Sequence, residues 1–390
     1  MKGIIEAIIS ILFKSMGVFR SPKTVYFESF HGTQYSDNPK AIYESMVKEY
    51  PDYNLVWGVN KGSEKPFRDE KVSYVYRFSF KWFLTMPRAC AWVINTRTPK
   101  WLPKNKQTIY IQTWHGTPLK KIGCDIPKVN IPGYTKESYD QSFAEESSRW
   151  DYLVSPSSYT TEIFKKAFAY SGKLIESGYP RNDLLVQATK EKAIKNQLKE
   201  KLNIPLNKKV ILYAPTWREK ENRVNGKYEF TTDFPFDKME EVLGEDTLLL
   251  VRMHYLVAQN FDFSDCNKKI IDVSSNYDMS ELLAISDLLI TDYSSCMFDF
   301  AITNNPIVFF IPDQEEYDQE LRGFYFKMEE TMPGPLIENK EGLLATLNDY
   351  QNGVSLKTDN YTKFKEKFTS LEKAEASKSV TEVIFKHREE

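Results

Sequence analysis

Short runs of β-branched, aromatic and aliphatic residues recur along the first half of the chain: Thr24–Phe30, Asn54–Val59, Ala91–Ile94, Thr108–Thr113 and Asp151–Ser155. Each has the length and composition of a strand, and helix-like stretches such as Pro39–Tyr50 and Tyr159–Ala169 separate them. In the second half the runs Lys209–Ala214, Thr247–Arg252, Ile270–Val273, Leu288–Asp292 and Pro306–Ile311 are apolar almost throughout, with no alternation. That pattern predicts parallel strands buried on both faces, with helices such as Met279–Ser286 and Ser295–Ile302 covering them. Strands alternating with helices imply an α/β fold. The polar, lysine-rich segment Thr189–Leu202 predicts a helix, and Asn203-Ile204-Pro205-Leu206-Asn207 after it reads as a boundary. The tail Asn360–Lys386 predicts one long amphipathic helix. The expected architecture is two α/β halves with a cleft between them, divided as 1–22, 23–203, 204–355 and 356–390.

The first segment stands apart. Apolar side chains fall at Ile4, Ile5, Ala7, Ile8, Ile9, Ile11, Leu12 and Phe13. The stretch Ala7–Phe13, broken only by Ser10, is shorter than the roughly 20 residues a spanning helix needs. Lys2, Lys14, Arg20 and Lys23 against Glu6 give this end a local charge of +3 (four minus one). No small-residue cleavage site follows, which disfavours a signal peptide. The pattern predicts an amphipathic helix lying in the interface of an anionic leaflet, with a helix packed on its own domain as the alternative. On the interfacial reading, removing residues 1–19 leaves the fold intact.

Composition narrows the function. The 390 residues carry 52 basic and 54 acidic side chains, a net charge of −2, so no chain-wide cationic field exists for nucleic acid. The four cysteines are far apart with no CxxC pair, which argues against cysteine-held zinc and for a reducing compartment. No GxxxxGK[ST] occurs, and no GxGxxG follows a strand, which disfavours a P-loop enzyme or a dinucleotide-dependent dehydrogenase.

The polar clusters fall where ligands bind in open parallel sheets, just past the carboxyl ends of strands. They are Trp114-His115-Gly116-Thr117-Pro118, Pro215-Thr216-Trp217-Arg218, Arg252-Met253-His254, Asp292-Tyr293-Ser294-Ser295 and Gly178-Tyr179-Pro180-Arg181-Asn182-Asp183. Their repeated placement is stronger evidence than any one of them. His115, at a sharp turn after a strand, is placed to take a proton from a hydroxyl near neutral pH. His254 beside Arg252 suits a diphosphate, one fixed cation with one imidazole donor. Ser294 and Ser295 open a helix, where hydroxyls and free N–H groups make an anion site, although plain capping is common there. Asp299 lies one turn on and suits hydroxyls of a ribose or polyol. Arg181 and Arg218 could each hold a phosphate or form a surface ion pair. His31 follows the first strand and could face an incoming acceptor. Glu145-Glu146 reads as a solvated helix face and His387 as solvent-facing.

Taken together, these clusters resemble the CDP-glycerol glycerophosphotransferase family of teichoic acid synthesis. The stretches Gln112–Lys120, Gly178–Asp183, Ala214–Arg218, Arg252–Tyr255, Thr291–Ser295 with Phe298-Asp299, Phe27–Phe30 with Tyr35–Lys40, and Leu321–Tyr325 with Pro333-Gly334-Pro335 carry the likeness, over about residues 24–350. The resemblance implies a GT-B-like fold, two Rossmann-like domains facing a central cleft, in a peripheral enzyme on the cytoplasmic face of the cell membrane. It implies transfer of glycerol phosphate from CDP-glycerol to an undecaprenyl-diphosphate-linked acceptor with release of CMP, with other wall teichoic acid enzymes as expected partners; the sequence itself holds no acidic cluster that demands a metal, and no cofactor is expected. It makes His115 the general base and sets His254 with Arg252 on the donor diphosphate. Trp114, Gly116, Thr117, Pro118, Arg181, Pro215, Thr216, Met253, Ser294, Ser295 and Asp299 match donor-binding positions. Larger members carry a further N-terminal domain, so the chain resembles the short members that add one or a few units. A nucleotide-sugar glycosyltransferase, a poly(glycerol phosphate) polymerase and a membrane-bound scaffold are the competing readings.

Overall fold

A computed structural model describes residues 2–129, 131–216, 223–224, 227–228, 233–253, 269–275, 277–314 and 323–386. The chain divides into two units, one of Met1–Gly116, Lys121–Asp183 and Ser370–Glu390, the other of Thr117–Lys120 and Leu184–Thr369.

The first unit is built on a seven-stranded sheet of β1 (Ser21–Glu28), β2 (Asn54–Val59), β3 (Tyr74–Tyr76), β4 (Ala89–Ile94), β5 (Ile109–Gln112), β6 (Tyr152–Ser155) and β7 (Lys173–Glu176), in the order β3-β2-β1-β4-β5-β6-β7. All of its pairings are parallel. Every residue of β4 and β5 is buried, which explains their unbroken apolar character. One face packs on a cluster with Trp92, Tyr110, Phe143 and Phe168, the other on Phe27, Trp57, Phe67 and Ile111.

The second unit holds β8 (Lys209–Tyr213), the two-residue strands β9 (Arg223–Val224) and β10 (Lys227–Tyr228), and then β11 (Thr247–Val251), β12 (Ile270–Asp272), β13 (Leu288–Thr291), β14 (Ile307–Phe310) and β15 (Leu336–Ile337). β9 and β10 pair antiparallel, and the others form a parallel sheet ordered β12-β11-β8-β13-β14-β15. Counted within each sheet, both run third-second-first-fourth-fifth-sixth, the order of doubly wound nucleotide-binding folds, and the first sheet adds a seventh strand at its edge. The order reverses beside β1 and β4 in one sheet and beside β8 and β13 in the other, and crevices open at those points. Gly334 lies so close to β14 that a Cβ on it would stand 1.7 Å from the Ile307 carbonyl oxygen, so the Pro-Gly-Pro turn admits no side chain there.

Three expectations are corrected. The tail is two helices, Tyr361–Phe368 in the second unit and Ala376–Lys386 in the first. Ala374 takes a left-handed backbone (φ 67°) between them, and the Asp183 carboxylate accepts from the N–H groups of Ala376 and Ser377 at 3.0 and 2.9 Å, starting a new helix. The division between units falls at Asp183/Leu184, so the turn at 203–207 lies inside the second unit. There the helix Lys192–Lys201 is tied to the second sheet's unit by Lys195–Asp287 at 2.6 Å and Lys201–Glu281 at 2.7 Å. Third, Glu146 is buried: it accepts from the N–H and hydroxyl of Thr98 and pairs with Arg149, while its neighbour Glu145 pairs with Lys100.

Residues Lys2–Met16 form helix α1, and its inward face is part of the core. Phe13 is fully buried against Trp82, Phe83 and Trp92, at ring separations of 5.5, 6.3 and 6.2 Å. Removing residues 1–19 therefore strips a core aromatic as well as a surface, a loss of about 3–5 kcal/mol for a buried Phe. No helix among the described residues is long and apolar enough to cross a membrane.

Candidate active site

At the carboxyl ends of β1, β4 and β5 the first unit gathers His31, Asn95 and His115. His115 Nδ1 lies 2.7 Å from the Asn95 carbonyl oxygen. A carbonyl can only accept, so Nδ1 carries the proton and the lone pair of the neutral ring sits on Nε2. Burial is the main influence on the ring and lowers its pKa below the usual histidine value; the hydrogen bond to the Asn95 carbonyl and the Asp37 charge oppose the fall, and Arg181 and His31 add to it. His115 is thus a neutral, oriented imidazole at pH 7. Its ring stacks on Trp114 at 4.5 Å, and Phe30 stands 5.6 Å away.

Asn95, fully buried, organises the surroundings. Its Oδ1 accepts from the Phe30 N–H at 2.9 Å, and its Nδ2 donates to Asp37 Oδ2 at 2.7 Å and to Ser29 Oγ at 3.1 Å. Asp37 Oδ1 accepts from the Asn38 N–H and pairs with Arg181 Nη1, both at 2.7 Å. Asn38 in turn donates to the carbonyls of Thr113 and Trp114, fixing the turn that carries His115. Beneath them runs a second chain of bonds. Trp82 Nε1 donates to Tyr26 Oη at 2.9 Å, Tyr26 donates to Glu28 at 2.6 Å, and Arg77 pairs with Glu28 at 3.0 Å while reaching the His31 carbonyl at 2.7 Å. Burial lowers the His31 pKa first, with Arg77 adding to the fall and Glu28 opposing it.

The backbone is strained at this end of the sheet. Phe30, His31, Gly32, Asp37 and Trp114 all lie at positive φ, between 46° and 79°. Non-glycine residues there cost of order 1–3 kcal/mol each and persist only where surrounding bonds hold them, as Asn95 and Arg77 do here.

The second unit presents its polar groups at the crevice between β8 and β13. Thr216 donates through its N–H (2.8 Å) and hydroxyl (2.6 Å) to Asp292 Oδ1, so the carboxylate joins the turns after the two strands. Pro215 lies in that first turn, and Arg252 and Met253 follow β11 next to it. Arg252 Nη1 donates to the Val273 carbonyl at 2.7 Å, its one side-chain hydrogen bond among the described residues, and the Met253 N–H is held by Ser274 Oγ at 2.9 Å. Burial lowers the Arg252 pKa, with Asp278 and Asp272 pulling the other way. The helix expected over Ser295–Ile302 is an α-helix at Cys296–Phe300 continued by a tighter turn at Ala301–Thr303. Ser294 Oγ accepts weakly from the Cys296 N–H at 3.4 Å. Ser295 is the N-cap residue, yet its hydroxyl caps nothing and has no hydrogen-bond partner among the described residues. Asp299 is buried one turn on.

Trp114, His115, Gly116 and Arg181 thus belong to the first unit, and Thr117, Pro118, Pro215, Thr216, Arg252, Met253, Ser294, Ser295 and Asp299 to the second. The Trp-His-Gly-Thr-Pro turn crosses from one to the other after Gly116. His254, Trp217, Arg218, Arg322 and His387 lie outside the described residues. Among the described residues no group of three or more His, Cys, Asp or Glu side chains could hold a metal ion. Asn95, Glu28 and Arg77 went unread in the sequence as site residues. The available signal was polarity directly after an apolar strand, in Val93-Ile94-Asn95 and in Phe27-Glu28.

Comparison with known proteins gives the family. The family model for CDP-glycerol:poly(glycerophosphate) glycerophosphotransferases matches residues 11–386. A teichoic acid glycerol-phosphate transferase of Staphylococcus aureus is 48% identical over 386 residues, covering 99% of this chain and 98% of its own length. A teichoic acid poly(glycerol phosphate) polymerase of Bacillus subtilis is 46% identical over 369 residues, 93% of this chain but 49% of that protein. The solved wall teichoic acid polymerase TagF superposes with a TM-score of 0.88 at 40% identity, covering 100% of this chain and 96% of that one. A variant of it soaked with CDPG gives 0.89 at 39% identity, with the same coverage. The chain is therefore an enzyme of the CDP-glycerol:poly(glycerophosphate) glycerophosphotransferase family.

Proposed function

We propose that this enzyme transfers glycerol phosphate from CDP-glycerol to a hydroxyl of a lipid-linked teichoic acid acceptor and releases CMP. The observation that carries the proposal is the His115 imidazole, held by the Asn95 carbonyl in the tautomer that leaves Nε2 basic. The acceptor oxygen attacks the phosphorus that bears glycerol. His115 Nε2 takes the hydroxyl proton as the new P–O bond forms, and the bond to the CMP phosphate breaks. The departing CMP gains negative charge. Arg252 and His254 are assigned to that diphosphate, with the Ser294 and Ser295 hydroxyls donating to its oxygens. Asp299 is assigned to hydroxyl groups of the donor, since a carboxylate repels phosphate. Trp114, Gly116, Thr117, Pro118, Pro215, Thr216 and Met253 shape the donor site. Arg181 acts through Asp37, its partner at 2.7 Å, as much as through any ligand.

The reading includes a GT-B-like fold, an undecaprenyl-diphosphate-linked acceptor, and residence on the cytoplasmic face of the membrane through the exposed side of α1. Ile8, Ile11 and Leu12 on that side are each more than half exposed. A polymerase reading is favoured by the 46% identical relative of that name. It shares every step and differs only in repetition. Incubating the enzyme with CDP-glycerol and a synthetic lipid-linked disaccharide tests both: CMP release with a product heavier by one or a few glycerol phosphates supports transfer, and a long ladder supports polymerisation. Turnover of UDP-sugars with no reaction of CDP-glycerol would overturn the proposal in favour of a glycosyltransferase.

A further inference from the structure

Beneath the carboxyl end of α1 lies a cavity of about 220 Å³, walled by Phe13, Pro87 and Pro103 and rimmed by Lys14, Lys104 and Lys106. One water needs only about 10–15 Å³ on such a measure, so the space admits a group the size of a phosphodiester. No carboxylate lines it. Lys104 is already neutralised by Asp151 at 2.8 Å. Lys14 and Lys106 make no ion pair among the described residues, and neither do Arg20 and Arg88, which brace the same corner. Arg20 donates to the Gln107 carbonyl and Arg88 to that of Phe19. The Gly17 carbonyl is taken by Asn105 Nδ2 at 2.6 Å. The partial negative charge at the end of α1 is thereby countered rather than turned into the cavity.

The surroundings are apolar and exposed. Val18 and Phe19, just beyond α1, are 76% and 65% exposed, and Ile11 and Leu12 precede them on the helix. A second apolar element stands beside α1. Phe80, 77% exposed, starts the helix Phe80–Thr85, and Phe78 packs on Trp82 at 5.1 Å, the same ring that Phe13 of α1 touches. Lys81 follows Phe80 directly. Exposed aromatic and aliphatic side chains interleaved with unpaired cations fit an anionic lipid leaflet, where apolar groups enter the acyl boundary and cations meet the head groups.

We propose that this cavity is a head-group site: it takes the phosphate of an anionic phospholipid between Lys14 and Lys106, while α1 and the Phe78–Phe80 corner enter the same leaflet. The proposal rests on the membrane-peripheral reading above and adds to it a defined site with head-group selectivity.

The test is co-sedimentation of the full chain with phosphatidylcholine vesicles, with and without phosphatidylglycerol. The Lys14→Ala/Lys106→Ala double variant should lose about 30-fold in binding to the phosphatidylglycerol vesicles, near five-fold per lysine, and almost nothing on pure phosphatidylcholine. A control double variant of two exposed lysines elsewhere in the unit, Lys61→Ala/Lys378→Ala, should lose far less. Ile11→Ser with Phe80→Ser should weaken binding to both kinds of vesicle. Short-chain, monomeric phosphatidylglycerol should bind the wild type and not the Lys14/Lys106 variant in calorimetry, and inorganic phosphate should not compete with it. Equal losses in the two lysine pairs would leave only diffuse charge attraction and overturn the site. Competition by inorganic phosphate would make it a free-anion site and overturn the lipid assignment. Wild type that binds neither vesicle would overturn the membrane reading itself and the site with it. Lys14 and Lys106 are exposed, so both variants should melt with the wild type.

Discussion

At the crevice of the first sheet the polar groups are engaged with one another. Asn95 bonds Phe30, Asp37 and Ser29, Asp37 bonds Arg181, and His115 is fastened through Nδ1. At the crevice of the second sheet Asp292 ties two turns together, but among the described residues the Ser295 hydroxyl has no partner and Arg252 makes one side-chain hydrogen bond. The two sheets share one strand order over six strands, including the point where it reverses, so the difference does not come from topology. It follows the work each half is assigned. A base must be held at one angle with one tautomer, which takes a rigid, satisfied and even strained setting. A site for a charged ligand must keep donors in reserve until the ligand arrives, because a donor already engaged adds little.

The sharpest way to break this comparison is His115→Asn. It should slow turnover by about 10²–10⁴-fold while changing the donor KM little, since proton removal matters in the transition state. The pH profile sharpens it. Burial lowers the His115 pKa, so the acid limb of kcat/KM should fall below the usual histidine value of about 6.5, and should vanish from the variant's residual activity. Stability follows the same sign. His31 and His115 both titrate lower when folded, so the unfolded chain binds their protons first, and the enzyme should lose stability as pH falls through about 6.5. Near wild-type turnover of His115→Asn with saturating substrates would transfer the role to His31, the other imidazole at this end of the sheet.

Next in size is the Asp37–Arg181 pair, whose side chains are 5% and 10% exposed. Removing one charge leaves the other buried and uncompensated, so Arg181→Leu should cost about 3–5 kcal/mol of unfolding free energy in a denaturant titration. The donor KM separates the roles. An Arg181 that serves mainly as the counter-ion of Asp37 lowers stability and kcat through the His115 turn, whereas one that binds donor raises KM at unchanged stability.

How far the sequence carries the reader also differs between the two regions. The central strands were legible because burial on both faces makes them continuously apolar, and Asn54–Val59 was placed to the residue. The edge strands Tyr74–Tyr76 and Lys173–Glu176 were not, because three residues are too few to show a pattern and Lys-Leu-Ile-Glu is half polar. Ser294, Ser295 and Arg252 were legible as polar residues directly following strands. Asn95 and Asp37 were not, because their importance comes from partners at positions 115 and 181 that only the fold supplies. The broken tail has the same cause: Asp183, which starts its last helix, is 193 positions from Ala376, and amphipathic periodicity continues on both sides of the break.

The smallest expected effect tests the uncommitted side of the comparison. Ser294→Ala removes a weak acceptor of the Cys296 N–H, a cap-like loss of at most about 1 kcal/mol. Ser295→Ala removes a hydroxyl that bonds nothing described, so its melting transition should match the wild type within about 0.5 kcal/mol. Binding should show the reverse asymmetry. A hydroxyl that donates to a donor phosphate contributes roughly 1.5–3 kcal/mol, so Ser295→Ala should weaken CDP-glycerol binding about ten- to hundredfold in calorimetry while leaving the fold untouched. Unchanged affinity in Ser295→Ala, with a normal melting curve, would mean that this hydroxyl is idle in the complex too. The donor's phosphates would then rest on Arg252, His254 and Ser294, and the contrast between an engaged base site and a reserved donor site would reduce to one arginine.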